Sequence, residues 1–341
     1  MTKFLLVWRS FKSLFFLALT ATRFRLTGKN AGARYLHKTF SLFGGLPGSL
    51  TSKFLSTVKN SELGKFRSDS FESGTSISDS AKLLREKGYF VENSFLNRNL
   101  TGAVLDYSLS NIGSYRAKDS GDGNVPNVKF DRSNPLSVRF DYSPSTVLKC
   151  REIQEVLTNP KVLSLAQEYL GSEPILDFVA MWWHTKSNEA DKKAAQMFHF
   201  DMDRLRWVKF FFYITDVSPE NGPHVFIEST HKDYGIPFSL RKKGYARLSD
   251  EDVERVISRD HWVEFAGKAG TMIAEDTRGL HKGAHVKSGD RLLFQFQFTT
   301  TLYGEAEEPD NMVLTDADMS DKLRDAIRRY PRVFQKISVT P

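Results

Sequence analysis

The sequence predicts a mainly β fold with flanking α-helices, on three observations. Aromatic residues make up 13% of the chain, with 27 Phe against 7 Met, and aromatic side chains suit pleated surfaces. Trp207 to Thr215 alternates with period two, placing Val208, Phe210, Phe212 and Ile214 on one face and Trp207, Lys209, Phe211, Tyr213 and Thr215 on the other. Arg291 to Thr299 does the same: Leu292, Phe294, Phe296 and Phe298 oppose Arg291, Leu293, Gln295, Gln297 and Thr299. In an open sheet the mixed face would meet solvent, whereas in a jelly-roll barrel it lines a cavity. Arg291 then points inward.

Taken in order, residues 1–77 read as a basic N-terminal arm and linker and residues 78–341 as one domain. Residues 1 to 61 contain ten Lys and Arg and no Asp or Glu, leaving 38 cations against 41 acids in the rest. The net charge of +7 therefore belongs to the arm, and nucleic acid is not the expected partner of the domain. Leu14 to Leu19 is apolar but far shorter than the roughly 20 residues that span a bilayer. The arm is thus a targeting segment, a cationic interfacial helix with peripheral membrane contact, or a segment packed on the domain. The Ser/Gly-rich run from Ser68 to Ser80 reads as a linker. The single cysteine, Cys150, excludes an intrachain disulfide and suits a reducing compartment. A cytoplasmic location follows, or a mitochondrial or membrane-associated one through the arm.

Ser78-Asp79-Ser80 is a helix N-cap cluster before Ala81–Lys87, with Gly88 as the stop and Tyr89-Phe90-Val91 as a first strand. Leu100 to Pro135 lacks periodicity and reads as long loops. Helices are expected from Ser145 to Leu157 and from Asn159-Pro160 to near Gly171, with strands from Ile175 onwards. Turns fall at 218–223 and 287–290, and a short helix near Ser320 to Tyr330 ends the domain. Trp182, Trp183, Gln196, Lys209, Thr215 and Gln295 are candidate lining residues, with core packing the favoured role for the two tryptophans and Thr215; a buried Lys209 needs an anion, and the alternative is a solvated one.

The chemistry centres on Gln196-Met197-Phe198-His199-Phe200-Asp201 and Asp276-Thr277-Arg278-Gly279-Leu280-His281. If 196–203 is a strand, His199 and Asp201 leave the same face while Phe200 points away. Two histidines and a carboxylate on one side of an ion, with open positions opposite, is the facial arrangement of non-haem Fe(II) oxygenases. His-x-Asp alone is weak, since an exposed ion pair on a surface strand gives the same pattern. For the third ligand His281 competes with His285, His224 and His231, the last fitting a hydrogen-bonded structural role better. Asp203 rivals Asp201 for the carboxylate.

These motifs, together with 209–217, Asn221-Gly222-Pro223-His224, the run His281-Lys282-Gly283 leading to Arg291, and Leu84 to Val91, resemble the phytanoyl-CoA dioxygenase family of Fe(II)/2-oxoglutarate oxygenases over about residues 78 to 300. The resemblance implies a double-stranded β-helix (jelly roll, cupin-like), with His199, Asp201 and His281 as iron ligands. It also implies Arg291 gripping the distal carboxylate of 2-oxoglutarate; Lys209, a cation on the strand beside the proposed iron segment, and Gln196 are read from their positions as further candidate cosubstrate contacts. Related halogenases lack the carboxylate, so Asp201 favours hydroxylation. The chain departs from relatives in reading Ser229-Thr230-His231 where Gly-Ser-His is common, which touches the role of His231 only. The implied reaction consumes dioxygen and 2-oxoglutarate, releases succinate and hydroxylates a small organic or lipid-like substrate. A non-catalytic cupin-like binding protein and a metal-dependent hydrolase or isomerase are the rival readings.

Overall fold

The structure is a computed structural model that describes residues 2–29, 31–56, 66, 68–116, 124–186, 195–244, 246–304 and 312–341. Helices α1 (Thr2–Thr27), α2 (Ala33–Phe43) and α3 (Leu46–Ser56) come first, followed by α4 (Ile77–Lys87), β1 (Tyr89–Glu92) and α5 (Arg98–Ser110). Next are β2 (Ile112–Arg116), β3 (Asn124–Lys129), β4 (Arg139–Tyr142), α6 (Pro144–Lys149), α7 (Arg151–Leu157) and α8 (Pro160–Leu170). The strands β5 (Ile175–Thr185), β6 (Trp207–Tyr213) and β7 (His224–Ile227) lead to α9 (Phe238–Arg241) and α10 (Asp250–Glu254). The chain closes with β8 (Trp262–Phe265), β9 (Met272–Glu275), β10 (His281–Gly283), β11 (Asp290–Thr299), β12 (Met312–Thr315), α11 (Asp321–Arg329) and β13 (Ile337–Thr340).

Eight strands form one sheet in the order β1-β9-β6-β11-β5-β4-β2-β3, and β10-β7-β8 form a second. Every pairing in these two sheets is antiparallel. This is the double-stranded β-helix with flanking helices that the alternating segments and the resemblance predict. The alternation sorts the two faces of the large sheet. Val208, Phe210, Phe212, Ile214, Leu292, Phe294, Phe296 and Phe298 all enter the main core beneath helices α4 to α8. Phe211, Tyr213 and Leu293 leave the opposite face, toward the small sheet, and pack with Phe226 and Phe265.

Helix starts follow from capping. Ser76 caps α4 by accepting from Asp79 N, two residues before the expected cluster, and Gly88 closes it at φ 100°. Asn159 caps α8 with Pro160 in the first turn, as expected, and Ser320 caps α11. The region 100–135 corrects the sequence reading: it holds the end of α5 and strands β2 and β3, while 117–123 lies outside the described residues. The missed signal is Asn97, which accepts from Leu100 N and starts a helix whose buried side is only Thr101, Val104 and Ser108. So mixed a buried face leaves no clear period.

The N-terminal segment is built of helices set on the domain. Leu17 and Ala21 of α1, Leu36 of α2 and Leu55 of α3 share a cluster with Leu205 and Tyr303. Ser52 and Thr300 hydroxyls are 3.0 Å apart. No helix among the described residues is long and apolar enough to cross a membrane.

Candidate metal centre

The segment carrying His199 and Asp201 is extended, but it is not the regular strand expected for 196–203. Isolated bridges take the place of a ladder there, Phe198 to Leu248 and His199 to His281. His199 N donates to His281 O (3.0 Å), His281 N to His199 O (2.9 Å) and Asp201 N to Thr277 O (2.8 Å). The period of two therefore survives without a ladder. His199 and Asp201 face inward, and Phe200 points back against Phe40 of α2 with ring centroids 5.2 Å apart.

His281 starts β10, whose register is His281 to Phe226 on β7. A tight turn delivers it there. Asp276, fully buried, accepts from Arg278 N (3.1 Å) and Arg278 Nε (2.9 Å) and from the Tyr169 hydroxyl. Trp207 Nε1 donates to Thr277 Oγ1 at 2.8 Å. A Cβ on Gly279 would sit 2.5 Å from the Phe226 ring, so the turn passes where only glycine fits.

Among the described residues, His199, Asp201 and His281 offer ligand atoms that all lie within 4.8 Å of one another, and all three are buried. His199 Nε2 is 3.9 Å from Asp201 Oδ1, and His281 Nε2 is 3.5 Å from Asp201 Oδ2. Each imidazole is oriented from behind, because His199 Nδ1 lies 2.9 Å from Met197 O and His281 Nδ1 2.9 Å from Gly279 O. An Nδ1–H donated to a carbonyl leaves the Nε2 lone pair inward, the tautomer a metal requires. Burial lowers the pKa of both histidines, so both imidazoles are neutral at neutral pH. Burial pushes Asp201 up, but Lys209, His281 and His199 outweigh it and hold the carboxyl below its usual range. The donor set is thus deprotonated and prepositioned, and it fits a divalent ion of the borderline class.

Lys209 lines the same cavity, but neither as a solvated lysine nor beside a vacant anion position. Its Nζ is 2.6 Å from Asp201 Oδ2 and 3.1 Å from Asp203 Oδ2. Burial works against the cation, and the two aspartates more than restore it. Asp203, the rival carboxylate, is spent on this pairing. The lysine fixes Asp201 Oδ2, the oxygen that also lies 3.5 Å from His281 Nε2, and leaves Oδ1 on the His199 side.

The cavity holds about 220 Å³, and both sides of it are built by the sheets. Phe178, Ala180, Trp182, Phe211 and Leu293 give an apolar wall, and Arg139, Lys209, Arg247 and Arg291 add positive charge. Gln295 lines it as expected, whereas Gln196 is buried outside the lining. Trp183 sits in the main core, and Thr215 Oγ1 accepts from Leu292 N. His231 is buried with Nε2 3.0 Å from Arg85 O, and His285 lies outside the lining.

Arg291 is 2% exposed and donates to Gly222 O and to His184 Nδ1 at 2.7 Å. Both partners are neutral acceptors. His184 lies directly opposite Arg291 in the β5–β11 register, a relation invisible along the sequence. Glu275 also escaped the sequence reading, and His224, weighed there as a third ligand, is paired with it instead. His224 Nε2 is 2.8 Å from Glu275 Oε2; burial takes the histidine down to about 3 and the glutamate up to about 8. The pair holds one proton and no net charge. Glu275 stands opposite Lys209 in the β6–β9 register.

Comparison with curated protein sequences finds no match. Among solved structures, the chain is similar to the epimerase SnoN in complex with Fe3+, alpha ketoglutarate and nogalamycin RO. That likeness has 17% identity and a TM-score of 0.46, covering 65% of this chain and 83% of that one. It is also similar to HygX from Streptomyces hygroscopicus with nickel, 2-oxoglutarate and hygromycin B bound, at 15% identity and TM-score 0.42, over 69% and 90% of the two chains. EctD from S. alaskensis with 2-oxoglutarate and 5-hydroxyectoine is similar at 15% identity and TM-score 0.47, over 68% and 80%. The phytanoyl-CoA dioxygenase (PhyH) family model matches residues 136–292, the span that carries both candidate ligand segments and the buried arginine.

Proposed function

We propose that this chain is an Fe(II)- and 2-oxoglutarate-dependent dioxygenase that hydroxylates a small organic or lipid-like substrate. His199, Asp201 and His281 would hold the iron, and Arg291 the distal carboxylate of 2-oxoglutarate. The observation that carries this reading is the pairing of a buried three-donor cluster with a buried guanidinium in one cavity. Desolvating a cation costs several kcal/mol, and hydrogen bonds to neutral acceptors recover only part of it. A dicarboxylate supplies the missing negative charge through paired N–H···O bonds.

Iron with its cosubstrate, when bound, supplies the oxidising chemistry: 2-oxoglutarate loses carbon dioxide to give succinate, and an oxygen atom enters a C–H bond of the substrate. The protein's own contribution is positional. Met197 O and Gly279 O fix the imidazoles, and Lys209 fixes Asp201. His184 and Gly222 O aim Arg291. The wall from Phe178 to Leu293 receives an apolar substrate body and keeps water out.

Purified protein with Fe(II), 2-oxoglutarate and oxygen should release succinate, faster with a matched substrate. His199→Ala and Asp201→Ala should abolish it, and full activity in either would reject the ligand assignment. Turnover that persists without oxygen would instead indicate a hydrolase or isomerase.

A further inference from the structure

We propose that the outward face of α1 and α3 is a docking surface for an anionic lipid bilayer. The inference stands apart from the chemistry of the cavity and rests on the two-sided character of α1. One side, with Leu17, Ala21 and Phe24, is taken up by packing on Leu36, Leu55 and Tyr303. The other side is apolar too, and it faces water. Trp8, Phe11, Phe15, Leu19 and Leu26, spaced three, four, four and seven residues apart, are 60%, 67%, 56%, 51% and 80% exposed. That spacing puts them on one stripe of the helix. In α3, Leu46, Leu50 and Phe54 repeat every four residues and are also exposed. Arg25 lies over the Phe54 ring at 4.6 Å, which joins the two stripes into one surface.

Charge selects the occupant. Cations border the stripe, Lys12 and Arg23 along one edge and Arg25 along the other, and residues 1 to 61 contain no acid. A second copy of this chain would bring like charge against like, whereas lipid phosphates bring the opposite sign together with an apolar layer beneath. The helix is too polar to cross, so it lies in the plane of the interface, where Trp and Phe side chains are favoured. The domain travels with it, since Ser49 Oγ donates to Asp233 Oδ1 at 3.0 Å and the Ser52 hydroxyl meets Thr300.

The test is sedimentation of the full chain with vesicles of phosphatidylcholine, with and without roughly a third phosphatidylglycerol. The bound fraction should be about ten-fold higher on the anionic vesicles and fall as salt is raised. Phe11→Ser with Phe15→Ser should remove binding, and Lys12→Gln with Arg23→Gln should weaken it several-fold. Both pairs are exposed, and unchanged circular dichroism would show that each variant folds. Equal binding to both vesicles, no binding to either, or binding that neither pair alters would overturn the proposal. So would a dimer that the phenylalanine pair dissociates while vesicle binding is absent, because the occupant would then be a second copy.

Discussion

Arg291 shows how one side chain acquires its meaning from its neighbours. Its guanidinium sits in protein with Gly222 O and His184 Nδ1 as acceptors. If it holds the distal carboxylate, Arg291→Ala should cost about 2–5 kcal/mol of cosubstrate binding, roughly 30-fold or more in half-saturation for 2-oxoglutarate. Arg291→Lys should recover only part of this, because an ammonium cannot make the paired contact. An unchanged half-saturation would reject the role. His184→Ala should raise the same quantity more modestly, with succinate release at saturating cosubstrate preserved. The sequence made Arg291, His199 and Asp201 legible because their meaning lies in local spacing: alternation for the first, an interval of two for the others. His184 and Glu275 were not legible. Each lies on a strand that reads as core, and only cross-strand register sets them beside Arg291 and Lys209.

The turn 276–279 is the element that brings the second histidine to the first pair. Asp276 and Arg278 form an ion pair with side chains 0% and 10% exposed. Removing one partner of such a pair leaves an uncompensated buried charge, so Asp276→Ala should destabilise the protein by about 3–5 kcal/mol in urea unfolding. A loss below about 1 kcal/mol would show that the pair does not hold the turn. Gly279→Ala should act on the same element by forcing a Cβ against Phe226, weakening metal affinity as well as stability. At this scale the sequence was informative where period or capping is strong, as in β6, β11, α8 and α11. It failed for α5, where a polar helix with three small or branched buried residues imitates a loop. It also gave a strand at 196–203, where a bridge to β10 and one to Leu248 suffice to extend the backbone.

Across the whole molecule, burial of titratable groups sets how stability depends on pH. His37, His199, His224, His231 and His281 all have pKa values lowered from 6.5, with burial the largest cause for each. Below about pH 6.5 the unfolded chain binds more protons than the native one. The metal-free protein should therefore lose stability as pH falls from 6.5 to 5, by up to about 1.4 kcal/mol per pH unit for each histidine. Glu275 acts in the opposite sense. Its carboxyl is raised from 4.5 to about 8, so its contribution is full below 4.5 and fades as pH rises toward 8. Five histidines outweigh one carboxyl on the acid side, and urea midpoints should peak between pH 6 and 7; Glu275→Gln should flatten the alkaline limb. Midpoints that rise toward pH 5 would contradict the burial of these groups. The same long-range folding brings residue 281 to residues 199 and 201, a convergence that local pattern implies only through family likeness. Anomalous diffraction at the iron edge, from crystals grown anaerobically with Fe(II) and 2-oxoglutarate, tests it most directly. The expected result is one iron bonded to His199 Nε2, an Asp201 oxygen and His281 Nε2, with the cosubstrate's far carboxylate on Arg291; iron bound elsewhere, or His281 out of its coordination sphere, would contradict the assignment.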